Sequence, residues 1–325
     1  MINRLAHHSP NSCRWLLTWV FVASGYAAAD DEPDGRIPLD SRLFHGLPSQ
    51  LSLSVSGGLR YEDSLMVEET DSISRQSDVA VQSSLDVGYK NDITGSDRIK
   101  VGYHFEQRQF QNQTNFDLLT HYGFVDYSHN FGDIRVGATI DTTIAELGGA
   151  NLLDSQQAGL YGSGMATKKL YLRVGTIYKQ TEFSKAPDRS SETGKIEANV
   201  YYFLQEANEY LGVGYLFETE KTQLDSFDHD ANNLTLKYNK KLLFERGSVN
   251  LKADLRFQHR EYVVPTPSIS APRKDYRYRW RVRLEAPVTK SIDIELKYEH
   301  REYFSNLELL DFVGDSVVVR LILKL

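Results

Sequence analysis

The chain has 325 residues and a formal charge of −7, with a pI near 5.8 and a mean hydropathy of −0.43. Its mild acidity offers no electrostatic footprint for nucleic acid, and with Cys13 as the only cysteine, disulfides, thiolate metal sites and a cysteine nucleophile are excluded beyond it. Negative hydropathy fits a soluble protein, but it fits equally a transmembrane β-barrel, where only alternate residues face lipid.

From the N-terminus, residues 1–29 have the form of a secretory signal peptide. Arg4 and Arg14 are basic, residues 15–23 form a short apolar run, and Ala27, Ala28 and Ala29 precede Asp30. The run is roughly half the ~20 residues that a spanning helix needs. Residues 30–50, with Pro33 and Pro38, lack periodicity and are expected to be a periplasmic tail or a small plug. Residues 51–325 then repeat one unit: a strand of period two, a connection, another strand.

The first strand, 51–61, sets Leu51, Leu53, Val55, Leu59 and Tyr61 against Ser52, Ser54, Ser56 and Arg60. Further apolar faces follow at Val79–Val81–Leu85–Val87–Tyr89 and at Ile99–Val101–Tyr103–Phe105. The segment 117–129 alternates less cleanly. Next come Ile134–Val136–Ala138–Ile140, a Gly-rich strand at 155–165, and Leu170–Leu172–Val174–Tyr178. The eighth to tenth strands centre on Ile196–Val200, Leu211–Phe217 and Leu234–Tyr238. The eleventh sets Val249, Leu251, Leu255 and Phe257 against Lys252, Asp254, Arg256 and Arg260. The thirteenth sets Ile292, Ile294, Leu296 and Tyr298 against Asp293, Glu295, Lys297, Glu299 and Arg301, and the last carries Val317, Val319, Leu321 and Leu323.

That is about fourteen strands of about 11–14 residues, enough to cross a bilayer, which takes ~9–11 residues. Long connections are expected near 62–77, 109–116, 145–154, 183–191, 222–230, 263–273 and 304–314, and short ones between them. Short periplasmic turns alternating with long external loops are the habit of outer-membrane barrels. The expectation is therefore an all-β, antiparallel, up-and-down transmembrane barrel at 51–325, in the outer membrane with both termini periplasmic. Tyr61, Tyr89, Tyr127, Tyr178, Tyr202, Tyr238, Tyr298 and Tyr303 lie at strand ends, as in an interfacial aromatic girdle.

The twelfth strand is the most polarised. Tyr276, Tyr278, Trp280, Val282 and Leu284 fall on one face, and Arg277, Arg279, Arg281 and Arg283 on the other. With Arg256 and Arg260 of the preceding strand they compose a basic wall expected to line the lumen. Such a wall attracts anions. Alternatively it is closed into an ion-pair ladder, with Glu295 and Glu299 as the candidate partners.

No catalytic constellation emerges. His259 with Glu261 and His300 with Glu302 repeat at equivalent strand ends, and no serine stands in a nucleophile context. His104, His121, His129 and His229 are scattered without ligand spacing. Asp225, Asp228 and Asp230 read as a solvated loop. The expectation is no enzyme, cofactor or metal.

Several units resemble the C-terminal barrel of the surface lipoprotein assembly modifier family. They are Gly-Gly-Leu-Arg-Tyr-Glu-Asp-Ser at 57–64, Val101-Gly102-Tyr103, the Leu-Gly-Val-Gly-Tyr of 211–215, and the paired strand ends Phe-Gln-His-Arg-Glu-Tyr (257–262) and Tyr-Glu-His-Arg-Glu-Tyr (298–303). Membership implies a role in placing lipoproteins at the surface. That family usually carries a tetratricopeptide domain, whereas here about twenty residues precede the barrel. Many outer-membrane barrels also end in Phe or Trp, and this chain ends in Leu325.

Three functions stay open: a channel or export conduit for a small solute, polysaccharide or protein; a lipoprotein assembly factor; and a structural or adhesive barrel with a blocked lumen. Expected partners are outer-membrane lipid, lipopolysaccharide and the barrel-assembly machinery.

Overall fold

The computed structural model describes residues 50–68, 71–205, 208–244 and 247–325. The expected signal peptide and all of the expected tail except Gln50 lie outside the described residues. Fourteen antiparallel strands form a closed barrel. They are β1 (Leu51–Glu62), β4 (Asp78–Asp92), β5 (Asp97–Phe110), β6 (Leu118–Phe131), β7 (Ile134–Leu147), β8 (Ala150–Thr167), β9 (Leu170–Phe183), β10 (Ser191–Gln205), β11 (Glu209–Thr222), β12 (His229–Phe244), β13 (Gly247–Thr266), β14 (Ala271–Pro287), β15 (Ile292–Ser305) and β16 (Phe312–Lys324). A short hairpin, β2 (Leu65–Val67) and β3 (Ser72–Ser74), lies in the first long connection. Each barrel strand pairs with its chain neighbour, and β16 returns to pair with β1, from Ser54↔Lys324 to Glu62↔Ser316.

Closure leaves no unpaired edge, and the two-residue period does the rest. On β14, Tyr276, Tyr278 and Trp280 are exposed while Arg273, Asp275 and Arg277 are buried. The same alternation runs around the wall, with Ile140 67 % and Ile196 63 % exposed on the outside. An outer face this apolar has no stable contact with water; lipid satisfies it, and the polar face turns inward. Among the described residues no helix is long and apolar enough to cross a membrane. The girdle tyrosines follow this parity with one exception. Tyr303 shares a face with Glu299 and Arg301 and is buried inside.

Two expectations are corrected. The connection placed at 145–154 is a two-residue turn. Gly148 and Gly149 have φ of +57° and +76°, values a tight hairpin turn demands and glycine supplies without strain. Several strands also outrun the expected length: β8 has 18 residues, β14 has 17 and β13 has 20. The surplus raises β13 and β14 beyond the bilayer and shortens the connection between them.

Four connections at the barrel end opposite the C-terminus share one device. Each contains a single 3₁₀ turn, at Thr114–Phe116, Pro187–Arg189, Asp225–Phe227 and Glu308–Leu310. The residue after each turn then accepts a backbone N–H from the end of the preceding strand. Asp117 accepts from Phe110 at 2.7 Å, Ser190 from Phe183 at 3.0 Å, Asp228 from Thr222 at 2.7 Å and Asp311 from Ser305 at 2.8 Å. Side-chain capping of this kind satisfies a donor that the ladder leaves open. It also turns Arg189, Phe227 and Leu310 into buried positions.

Candidate functional site

The interior charges fall in rows, because neighbouring strands place register partners side by side. Arg279 stands between Arg256 on β13 and Arg301 on β15. One step toward the end that holds the C-terminus, Arg281 stands between Asp254 and Glu299. A further step brings Lys252, Arg283 and Lys297 together, with Val318 and Arg60 continuing the row. Next come Glu285, Glu295 and Arg320. All-cation rows thus alternate with rows that carry carboxylates.

The carboxylates are shared between rows. Asp254 accepts from Arg281 at 2.7 Å. Glu295, 1 % exposed, receives Arg320 at 2.8 Å and Arg283 at 3.4 Å. Glu299 faces Arg301 at 3.6 Å and Arg60 at 4.0 Å, and lies within electrostatic reach of Arg279. Arg277 reaches Gln258 at 3.2 Å and Asp275 at 3.4 Å. Arg256 donates to Asn233 at 2.6 Å, and Arg260 to the Tyr262 hydroxyl at 3.3 Å. The residues of the basic wall are therefore brought to one side of the interior, and each of the two candidate glutamates meets two cations.

Sequence reasoning missed three contributors. Glu62 bonds to Arg60 and also receives Arg301 at 3.3 Å and Arg108 at 3.7 Å. Arg273 binds Asp275 through two contacts of 2.7 Å. The third is the β2–β3 hairpin. The parity of 60 and 62 on β1 was the available signal for Glu62; only ring closure shows that β5 and β15 approach it.

The hairpin runs inward over the mouth opposite the C-terminus. Met66 packs with Tyr303 of β15, Phe312 of β16 and Ile73. Val67 packs with Ala145, Leu152, Leu153 and Phe183 of β7, β8 and β9. Leu65 packs with Ala80 and Phe110 of β4 and β5. β15 and β8 are seven places apart in a ring of fourteen, so the hairpin touches opposite sides of the barrel. Asp71, at its tip, is buried 3.7 Å from Arg273. Burial lifts the Asp71 carboxyl to about 6, against the pull of Arg273, Arg189 and Arg277.

His259 and His300 fall outside this site, whereas His229 is buried inside, its ring 5.2 Å from that of Tyr262. His300 and His259 are on the lipid-facing parity; His300 contacts Asp315 at 2.8 Å and Glu302 at 3.0 Å, and His259 stacks on Tyr276 at 4.7 Å. Asp228 is committed to its loop and Asp230 accepts from Thr219 at 2.6 Å.

No family model and no curated protein matches the chain. The resemblance to the surface lipoprotein assembly modifier barrel finds no support there. Solved structures do align. A loop L8 deletion mutant of OmpT, an outer membrane protein of Vibrio cholerae, aligns at 10 % identity and a TM-score of 0.47, over 85 % of this chain and 100 % of that one. The anion-selective porin from Comamonas acidovorans aligns at 11 % and 0.48, over 85 % and 98 %. A BenF-like porin from Pseudomonas fluorescens Pf-5 aligns at 10 % and 0.46, over 85 % and 99 %. At this level of likeness, the barrel of this chain stands on its own closed hydrogen-bond register.

Proposed function

We propose that the chain is an outer-membrane channel that favours anions, with both termini periplasmic and its outer mouth closed at rest by the β2–β3 hairpin. Passage, rather than catalysis, is its work. The observation that supports this is the row Arg256–Arg279–Arg301. Like charges set directly across neighbouring strands destabilise a sheet, and here a second cation row, Lys252–Arg283–Lys297, stands four residues further along. On β13 to β16 and β1, thirteen inward Lys and Arg face seven inward Asp and Glu, in a chain whose overall charge is −7. A positive interior within an acidic protein raises the local concentration of anions.

The test is the reversal potential of the reconstituted protein in a KCl gradient. Chloride preference is expected, with a shift toward potassium in the Arg279→Glu, Arg281→Glu double variant. A barrel that conducts with potassium preference sinks the anion reading. One that inserts and never conducts, even without residues 65–74, favours a structural or adhesive barrel. The hairpin that crosses the mouth also speaks for that second reading.

A further inference from the structure

The hairpin brings a carboxylate into the arginine rows. Glu68 follows Val67 directly and accepts a hydrogen bond from the Tyr303 hydroxyl. It acts electrostatically on Arg256, Arg277 and Arg301. Those three residues belong to β13, β14 and β15, at the level of the row through Arg279 and the row next above it. The Arg277 guanidinium stands 5.2 Å from the centroid of the Tyr303 ring, and Arg301 lies 5.4 Å from that of Phe312. An apolar floor formed by Met66, Tyr303 and Phe312 fixes the approach. Convergent guanidinium groups, one phenol donor and an apolar shelf are what a short carboxylate with an aliphatic tail requires. Glu68 supplies both parts from within the chain.

We infer that Arg256, Arg277, Arg301 and Tyr303 form a binding site for small organic carboxylates, which Glu68 occupies as a tethered stand-in. A free carboxylate that takes the place of Glu68 removes the bond holding the hairpin's inner end, so the solute loosens the element covering its own path. A tethered group competes with a free one at an effective concentration in the millimolar range for a short flexible link. The site therefore responds to millimolar solute rather than to traces. This deepens the anion-channel reading and rests on it only for the direction of passage; binding is testable without current.

The probe is propionate, which copies the Glu68 side chain from Cβ outward. Because Cys13 is the only cysteine, a Cys13→Ser, Ser74→Cys variant carries one label position on β3. Its rate of modification by a charged maleimide reports hairpin release in the full barrel in detergent. Propionate at constant ionic strength is expected to raise that rate, while chloride is not. Adding Glu68→Gln is expected to raise the rate roughly tenfold without propionate, the scale of one hydrogen bond to a charged group, and to abolish the propionate response. Tyr303→Phe is expected to show the same trend more weakly. Heat-dependent gel mobility confirms that each variant remains a barrel. Equal rates in Glu68→Gln and its parent, or equal effects of propionate and chloride, overturn the inference. If labelling responds but no current flows, the site stands and the channel reading falls; current with unresponsive labelling does the reverse.

Discussion

The Glu62 carboxylate on β1 receives the Arg301 guanidinium on β15 at 3.3 Å, although 239 residues separate them in sequence. β16 lies between their strands, and its Ser316 accepts from Arg60 at 3.2 Å. Arg108 of β5 approaches Glu62 from the other side at 3.7 Å. One buried acid thus ties both sides of the seam where the barrel closes. Removing one partner from a buried charge group typically costs about 3–5 kcal/mol, since the remaining charges lose their compensation. Glu62→Gln is expected to lower the midpoint of heat-dependent gel mobility clearly; an unchanged midpoint shows that the seam does not depend on it.

Docking of the hairpin is expected to depend on pH through Asp71. Its carboxyl is raised from 3.8 to about 6 by burial, with Arg273, Arg189 and Arg277 opposing and Asp275 adding to the rise. A raised acid favours the docked form fully below 3.8, and that favour is lost as pH climbs through about 6. The single cysteine at position 74 is therefore expected to react more slowly at pH 4.5 than at pH 7, after correction for thiolate content. Asp71→Asn should flatten the difference. A pH trend of opposite sign rules this account out.

Val67 anchors the hairpin against Leu153 and Phe183, on the wall opposite Tyr303. Val67→Asp sets an unpaired carboxylate in that apolar cluster, an arrangement costing several kcal/mol if it stays buried. Release of the hairpin is the cheaper response. The variant is expected to keep the barrel, label rapidly at position 74 and conduct more often than the parent in a planar bilayer.

Gly58 and Gly57 give a paired control on the same seam. A Cβ at Gly58 would stand 2.2 Å from the Val319 carbonyl oxygen and 2.5 Å from Arg320 Cβ, while at Gly57 nothing lies within 4 Å. Overpacking a tight contact costs about 1–3 kcal/mol. Gly58→Ala is expected to lower the melting midpoint and Gly57→Ala to leave it in place. Equal effects would mean that β16 shifts freely to make room.

The barrel was legible because its signal is local. Each strand declares itself through alternation, as in Tyr276–Arg277–Tyr278–Arg279, and the parity of every such residue fixes its face. The connection between β7 and β8 was misplaced because Ala145 and Leu153 face inward beside Val67 and so break the outward apolar rhythm near the turn. The arginine face was likewise legible, but its partners were only half so. Glu295 and Glu299 lie on the next strand, whereas Glu62 approaches Arg301 only once β16 has closed on β1. The hairpin was read as connection because three-residue strands carry too little periodicity. The Asp117, Asp228 and Asp311 caps each follow an apolar residue, Phe116, Phe227 and Leu310, and only their backbone partners reveal the capping.

A hoop of hydrogen-bonded strands is hard to stretch but easy to flatten, because bending it changes twist and leaves bond lengths nearly alone. Lateral pressure in a bilayer pushes toward that oval deformation. A hairpin resting on β15 and β16 at Met66, and on β7, β8 and β9 at Val67, is a crossbar along one diameter. While it is in place it resists flattening along that diameter. When it leaves, the wall is free to deform, and the distances between rows on opposite walls change with it.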